Sequence, residues 1–208
     1  ILIKRAGQRI PYASQWVAIY CGIIAICILP FLNLPDVASW PYLCASALLQ
    51  AAYFFLLAKA YQYGDFSVAY PLMRGTAPLL VLVCVWLFLH ESIDGHKIIG
   101  ILMVCGGVFA LLPNKQGLGK SQGYALLNAL VIASYTLVDG IGLRLSHSPV
   151  AYVMATFVIT GLIMAGFCGW HERERLFAHM GAKEHALVAT GGALSLASYG
   201  LALWAMLY

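Results

Sequence analysis

PVAYVMATFVITGLIMAGFCGW, Pro149–Trp170, contains no charged residue and no alternation of polar and apolar positions. An α-helix rises about 1.5 Å per residue, so roughly 20 apolar residues cross the ~30 Å hydrocarbon core of a bilayer. This stretch is long enough. A strand reading fails, because the run is about twice the length of a barrel strand and lacks the period of two. In lipid every backbone N–H and C=O must be paired internally, so the segment is expected to be a helix.

Six further runs of this kind surround it. Ser14–Leu34 carries no charge, Trp40–Gln62 carries Lys59 near its end, and Phe66–Leu89 carries Arg74. Ile98–Leu112 is short and uncharged, Gly123–Leu145 carries Asp139 and Arg144, and Ala186–Tyr208 is uncharged. The links are short and rich in breakers, such as Leu34-Pro35-Asp36, Gly64-Asp65, Asp94-Gly95, Pro113-Asn114 and Ser146-His147-Ser148; His171–His185 is the longest. Ile1 is not Met and Tyr208 falls inside an apolar run, so the chain reads as a fragment, with two more spans expected after Tyr208.

Composition agrees. Of 208 residues 62% are hydrophobic and 10% charged, against about 25% charged in soluble domains. A soluble fold of this size could not hide that much apolar surface. The net charge of +4 gives no reason to invoke nucleic acid, since the basic residues form no stripe interleaved with aromatics. Cys21, Cys27, Cys44, Cys84, Cys105 and Cys168 lie in apolar runs without metal-ligand spacing and read as packing residues. The histidines, including His90, His96, His171, His179 and His185, read as polar-link residues. No metal, cofactor or catalytic residue is expected, for the sequence has no nucleophile elbow, phosphate loop or zincin spacing.

When links are assigned to alternating sides, one side collects Lys4, Arg5, Arg9, Lys59, Lys115, Lys120, Arg173, Arg175 and Lys183. The other collects Lys97 and Arg144. The positive-inside bias makes the first side cytoplasmic.

An internal repeat is faintly visible. Gly7 and Arg9 align with Gly142 and Arg144, Pro11 with Pro149, and Leu48, Ala51, Tyr53 and Leu57 with Leu194, Ala197, Tyr199 and Leu203. The period holds five helices. An odd number inserts the second copy upside down, a plan found in transporters with a site between the halves. The expected fold is an all-α polytopic transmembrane bundle of two inverted five-helix repeats. The first repeat is placed at 1–113, an inter-repeat loop at 114–122 and an incomplete second repeat at 123–208.

The run Ala60-Tyr61-Gln62-Tyr63-Gly64-Asp65-Phe66-Ser67-Val68-Ala69-Tyr70-Pro71-Leu72 resembles the junction of the third and fourth helices of the EamA-type family, within the drug/metabolite transporter superfamily. Pro78 with Trp86-Leu87-Phe88-Leu89-His90-Glu91 resembles its fourth helix, and Gly100 with Gly106-Gly107-Val108 its short fifth. Ile1–Arg9 resembles the tail of its first helix, and Ser134-Tyr135-Thr136-Leu137-Val138-Asp139-Gly140 the opening helix of its second copy in bacterial members. The resemblance implies ten helices, a solute path between the repeats and a multi-pass place in the cell membrane, the inner membrane of a bacterium. In many relatives both termini are cytosolic, which would put Lys4–Arg9 outside, whereas the charge count puts them inside.

Ionisable groups within a bilayer cost roughly 2.5–3.5 kcal/mol on insertion scales and usually face a cavity. Arg74 lies ~12 Å into its span, between Pro71 and Pro78. It reads either as a cation for an anionic solute group, a carboxylate or phosphonate, or as an arginine snorkelling to the nearby face. Asp139, ~24 Å from that face, reads first as an interfacial partner of Arg144 and alternatively as a proton-coupling carboxylate. Gln50, Tyr53, Asn128, Tyr135, Ser195 and Tyr199 fall near mid-span. They read as cavity walls or as interhelical hydrogen-bonding groups worth about 0.6 kcal/mol each. Lys59 is expected to snorkel and Glu91 to end its helix at the interface. Ala47/Ala51, Gly161/Ala165 and Ala193/Ala197 are small-residue pairs that would let helices approach, and Trp40, Trp170, Tyr12 and Tyr63 fit an interfacial aromatic belt.

The leading expectation is a secondary transporter exporting a small polar or amphipathic metabolite by alternating access. Its partners would be a small-molecule solute, the lipid bilayer and a coupling proton, with a homo-oligomer left open. An intramembrane enzyme or a non-transporting membrane scaffold is the alternative.

Overall fold

A computed structural model describes residues 10–86, 95–110, 119–171 and 181–205. The helices are α1 Ile10–Ile28, α2 Trp40–Tyr63, α3 Phe66–Cys84, α4 Gly95–Ala110, α5 Lys120–Leu145, α6 Pro149–His171 and α7 Ala182–Ala205. All but α4 are long and apolar enough to cross a membrane, and no strand occurs among the described residues. The chain is an all-α, multi-pass membrane protein. Expectations on Ile1–Arg9, Glu91, His90, His179, Lys115, Arg173 and Arg175 fall outside the described residues, as do the side chains of Tyr12, Lys97 and His171.

The helix ends follow local chemistry. α1 stops at Ile28 because Pro30 lacks an N–H, and Leu29–Phe31 tightens into a 3-10 turn. This ends the span earlier than the expected Leu34. Asp65 caps α3, its Oδ1 accepting the Ser67 N–H at 3.0 Å. Gln122 Oε1 accepts the Gly119 N–H at 3.0 Å and Glu184 Oε2 accepts that of Gly181 at 3.1 Å. These caps start α5 and α7 a few residues before the apolar runs begin.

Successive spans reverse direction. The ends of α2, α4 and α6 therefore share one face with the starts of α1, α3, α5 and α7, here called the first face. On the second face the α1–α2 and α5–α6 links are tied by the Asp36 N–H donating to the Ser146 carbonyl at 3.1 Å.

Two antiparallel crossings organise the bundle. α2 lies along α5, and α1 along α6. A Cβ on Gly22 would come 2.9 Å from the Gly161 Cα and 3.2 Å from the Phe157 carbonyl oxygen. One on Gly161 would come 2.8 Å from the Gly22 Cα and 3.3 Å from the Ala18 carbonyl oxygen. Each glycine meets the other and the carbonyl four residues before it. The contact is thus nearly the same read from either helix. α1 also packs on α7, while α6 packs on α2.

Of the small-residue pairs, Ala47 and Ala51 are buried, and Thr160 Oγ1 of α6 reaches the Ala47 carbonyl at 3.4 Å. Ala165, Ala193 and Ala197 are exposed instead. Apolar helices carry small residues on lipid-facing sides as well as on contact faces, so spacing alone does not separate the two. Trp40, Tyr63 and Trp170 are exposed near helix ends, as an interfacial belt requires.

Candidate functional site

Two adjoining cavities penetrate the bundle. The larger, 420 Å³, lies towards the first face, between α1, α2, α3 and α7, and is lined by Ser14, Tyr53, Tyr61, Phe66, Tyr70, Arg74 and Ser195 among others. The deeper one, 330 Å³, is lined by Gln50, Tyr53, Phe54, Tyr70, Arg74, Tyr135, Phe157, Ser195, Ser198 and Tyr199, with Gly191, Leu194 and Ala202. Tyr53, Phe54, Tyr70, Arg74, Gly191 and Ser195 line both.

Arg74 stands where the cavities join and is exposed to them. Its guanidinium lies over the Tyr70 ring, 5.7 Å from the centroid, a cation–π distance set by their spacing of one helical turn. The groups acting on it electrostatically are phenols: Tyr53, Tyr135, Tyr70 and Tyr61.

The aromatic walls stand edge to face. Tyr53 and Tyr135 have centroids 6.1 Å apart at 81°, Tyr135 and Tyr199 6.0 Å at 71°, and Phe157 and Tyr199 5.6 Å at 89°. Such tilts suit ring quadrupoles.

Asp139 lies beyond this wall, toward the second face, and has no exposed surface. Tyr152 donates to its Oδ1 at 2.9 Å and Tyr199 donates to its Oδ2. Ser46 and Gln50 are also within hydrogen-bonding reach. Gln50 Nε2 donates to Ser46 Oγ at 3.3 Å and to the Tyr199 hydroxyl at 3.4 Å. One carboxylate thereby joins α5 to α2, α6 and α7. Gly142, one turn on from Asp139, makes room for this: a Cβ there would come 2.8 Å from Tyr152 Cζ.

The expected pairing of Asp139 with Arg144 is corrected. Arg144 is exposed near the end of α5, whereas Asp139 points inward to phenols brought by α6 and α7. Position along a helix fixed depth but not the partner.

The cavities bring together Gln50, Tyr53, Arg74, Tyr135, Ser195 and Tyr199, with Asp139 directly behind Tyr199. Asn128 is placed apart from them. It is fully buried, its Nδ2 is 3.4 Å from Met73 Sδ, and its Oδ1 has no hydrogen-bond partner among the described residues. Sequence reasoning missed Tyr70, Phe54, Phe157, Ser198 and Tyr152. Tyr70 was within reach, because it precedes Arg74 by four residues. Lys59 approaches the Phe55 ring at 5.7 Å near the first face. No cluster of three metal-ligating side chains occurs among the described residues.

Comparison with known proteins supplies the family. Over 72 residues the chain is 29% identical to the multidrug transporter EmrE of Escherichia coli strain K12. That match covers 35% of this chain and 64% of the relative. Residues 1–112, more than half of the chain, match the EamA-like transporter family, and the chain belongs to that family.

Proposed function

We propose that the chain moves a small polar or amphipathic solute across the membrane, by alternating access between two inverted repeats, with the joined cavities as the solute site. The observation that carries this reading is the pair of adjoining cavities that share Arg74, with a buried carboxylate behind the deeper one. Family membership and the resemblance to a multidrug transporter support the same class.

The near-symmetric contact of Gly22 with Gly161 supports the inverted repeat. A duplicated helix that crosses its own copy antiparallel about a two-fold axis must meet it at equivalent residues. The packing of α1 on α7 and of α6 on α2 is what the same axis would relate.

In this reading Arg74 holds an anionic solute group, while Gln50, Tyr53, Tyr135, Ser195 and Tyr199 line the path. Asp139 couples transport to protons. Ionised, it accepts from Tyr152 and Tyr199 and locks α6 and α7 to α5. Protonated, it loses acceptor capacity and releases the second-face end of the bundle. The larger cavity lies toward the face that the lysine and arginine bias makes cytoplasmic, which fits export.

Flux in proteoliposomes containing the full-length protein tests the reading. Solute flux driven by an imposed pH gradient is expected, and Arg74→Ala should lower it. Flux unaltered by that change would remove Arg74 from the solute site. Flux indifferent to the gradient and to Asp139→Asn would remove the coupling role.

A further inference from the structure

We infer that the cavity selects a monovalent organic anion with a flat apolar body and no ammonium group, such as an aryl carboxylate. The inference rests on the solute-site reading above and names the class of solute.

The charge balance of the lining comes first. Among the described residues that line the two cavities, Arg74 carries the only full charge. The nearest membrane carboxylate does not offset it. Asp139 lies outside the lining, with both oxygens accepting from tyrosine hydroxyls. The groups acting on Arg74 are phenols, which orient toward a guanidinium without neutralising it. A guanidinium in a low-dielectric interior is stabilised by an anion in the same compartment. A solute that brings a carboxylate provides it, and can bind in the fork geometry that guanidinium favours. A cationic solute meets Arg74 with no exposed counter-charge.

The second point is that the described residues of the lining offer no carboxylate to an ammonium group. Besides Arg74 the polar groups among the described lining residues are neutral: hydroxyls of Ser14, Ser195, Ser198 and the tyrosines, and the Gln50 amide. A zwitterionic amino acid would seat its carboxylate but leave its ammonium without a carboxylate partner. The lining therefore discriminates against the zwitterion and in favour of the simple acid.

Shape is the third. Around the deep cavity the Tyr53 ring stands steeply to those of Phe54 and Tyr135, and the Phe157 ring steeply to that of Tyr199. Edge-to-face contacts from such walls suit a planar ring better than a chain of the same area. The acid end then lies at Arg74, where the cavities join, and the ring points toward Tyr199.

The test uses the purified full-length protein in detergent, with binding measured calorimetrically for matched probes: 3-phenylpropionate, phenylalanine, 3-phenylpropanol, 3-phenylpropylammonium and propionate. The expected order puts 3-phenylpropionate first, at least ~10-fold tighter than the alcohol or phenylalanine. The ammonium and propionate should be weakest. Arg74→Gln should cost the acid ~10–100-fold and erase its advantage over the alcohol, whereas Arg74→Lys should keep part of it. Equal or tighter binding of 3-phenylpropylammonium overturns the inference, as does an absence of saturable 3-phenylpropionate binding. The wild-type series decides even if a variant fails to fold. Proteoliposome flux separates this inference from the transport reading. Binding in the expected order without flux sinks transport and leaves the solute class standing. Flux of the ammonium with rejection of the acid does the reverse.

Discussion

Arg74 and Asp139 are both ionisable groups inside the membrane, and the fold treats them in opposite ways. Arg74 is on α3, open to the cavities, with phenols around it. Asp139 is on α5, sealed from solvent, with tyrosines of two other helices on its two oxygens. The difference separates a charge that is available from a charge that is used up. An available charge awaits a ligand and contributes little to holding helices together. A saturated one holds helices together and can act on a ligand only by changing its own protonation. Removing each group should therefore damage different properties.

The largest effect is expected at Asp139. Asp139→Leu would leave the hydroxyls of Tyr152 and Tyr199 buried without an acceptor. At about 1–3 kcal/mol for each unsatisfied group, the variant should lose several kcal/mol and elute as aggregate in size-exclusion chromatography. Asp139→Asn keeps one acceptor oxygen, so it should remain monodisperse while losing pH-driven flux. A stable, monodisperse Asp139→Leu protein would show that the carboxylate is not holding the second-face end together.

Next is the crossing that lets the two halves meet. Gly161→Leu forces a side chain against the Gly22 backbone, which has no rotamer with which to yield. Overpacking typically costs about 1–3 kcal/mol, and the upper end applies where the obstacle is backbone. Gly22→Leu should cost the same within about 1 kcal/mol if the contact is truly reciprocal, as read from midpoints of thermal unfolding in detergent. A large difference between the two would break the symmetric reading.

Arg74→Ala belongs on the other side of the comparison. Flux should fall ~10-fold or more for loss of a charge-assisted contact. The unfolding midpoint should fall far less than for Asp139→Leu, because the helix–helix tie lost is a single hydrogen bond to the Tyr53 hydroxyl. A collapse in stability would mean that Arg74 is structural and that the cavity has no free cation.

How much of this could be read in the sequence follows the same division. Spans, direction of travel and depth are one-dimensional properties, set by apolar run length and breakers. Hence α2 begins at the expected Trp40, α5 ends at the expected Leu145 and α6 begins at the expected Pro149. Arg74 stood out because a charge between two prolines in an apolar run has few explanations. The fate of Asp139 was not legible. Its partners Tyr152 and Tyr199 lie 13 and 60 residues away, on helices that α5 meets only after the bundle forms. Nothing in the local sequence distinguishes a pairing with Arg144, just ahead on the same helix. Gly142 carries the trace of the true arrangement, since the space it leaves is filled by the Tyr152 ring. That trace can be interpreted only once α6 is in place.

Asn128 gives the smallest expected effect and tests where the solute-lining surface stops. It lies on α5 between the first face and Tyr135. The fold turns it instead against Met73, a weak acceptor, and gives its Oδ1 no partner among the described residues. An amide buried this way adds little attraction and retains a desolvation cost, so an apolar side chain of similar volume can replace it nearly neutrally. Asn128→Leu should shift stability by less than about 1 kcal/mol, in either direction, and leave flux unchanged. A variant that folds as well as wild type but no longer transports would extend the solute path along α5 beyond the joined cavities. The division between open and saturated polar groups would then have to be redrawn with Asn128 on the open side.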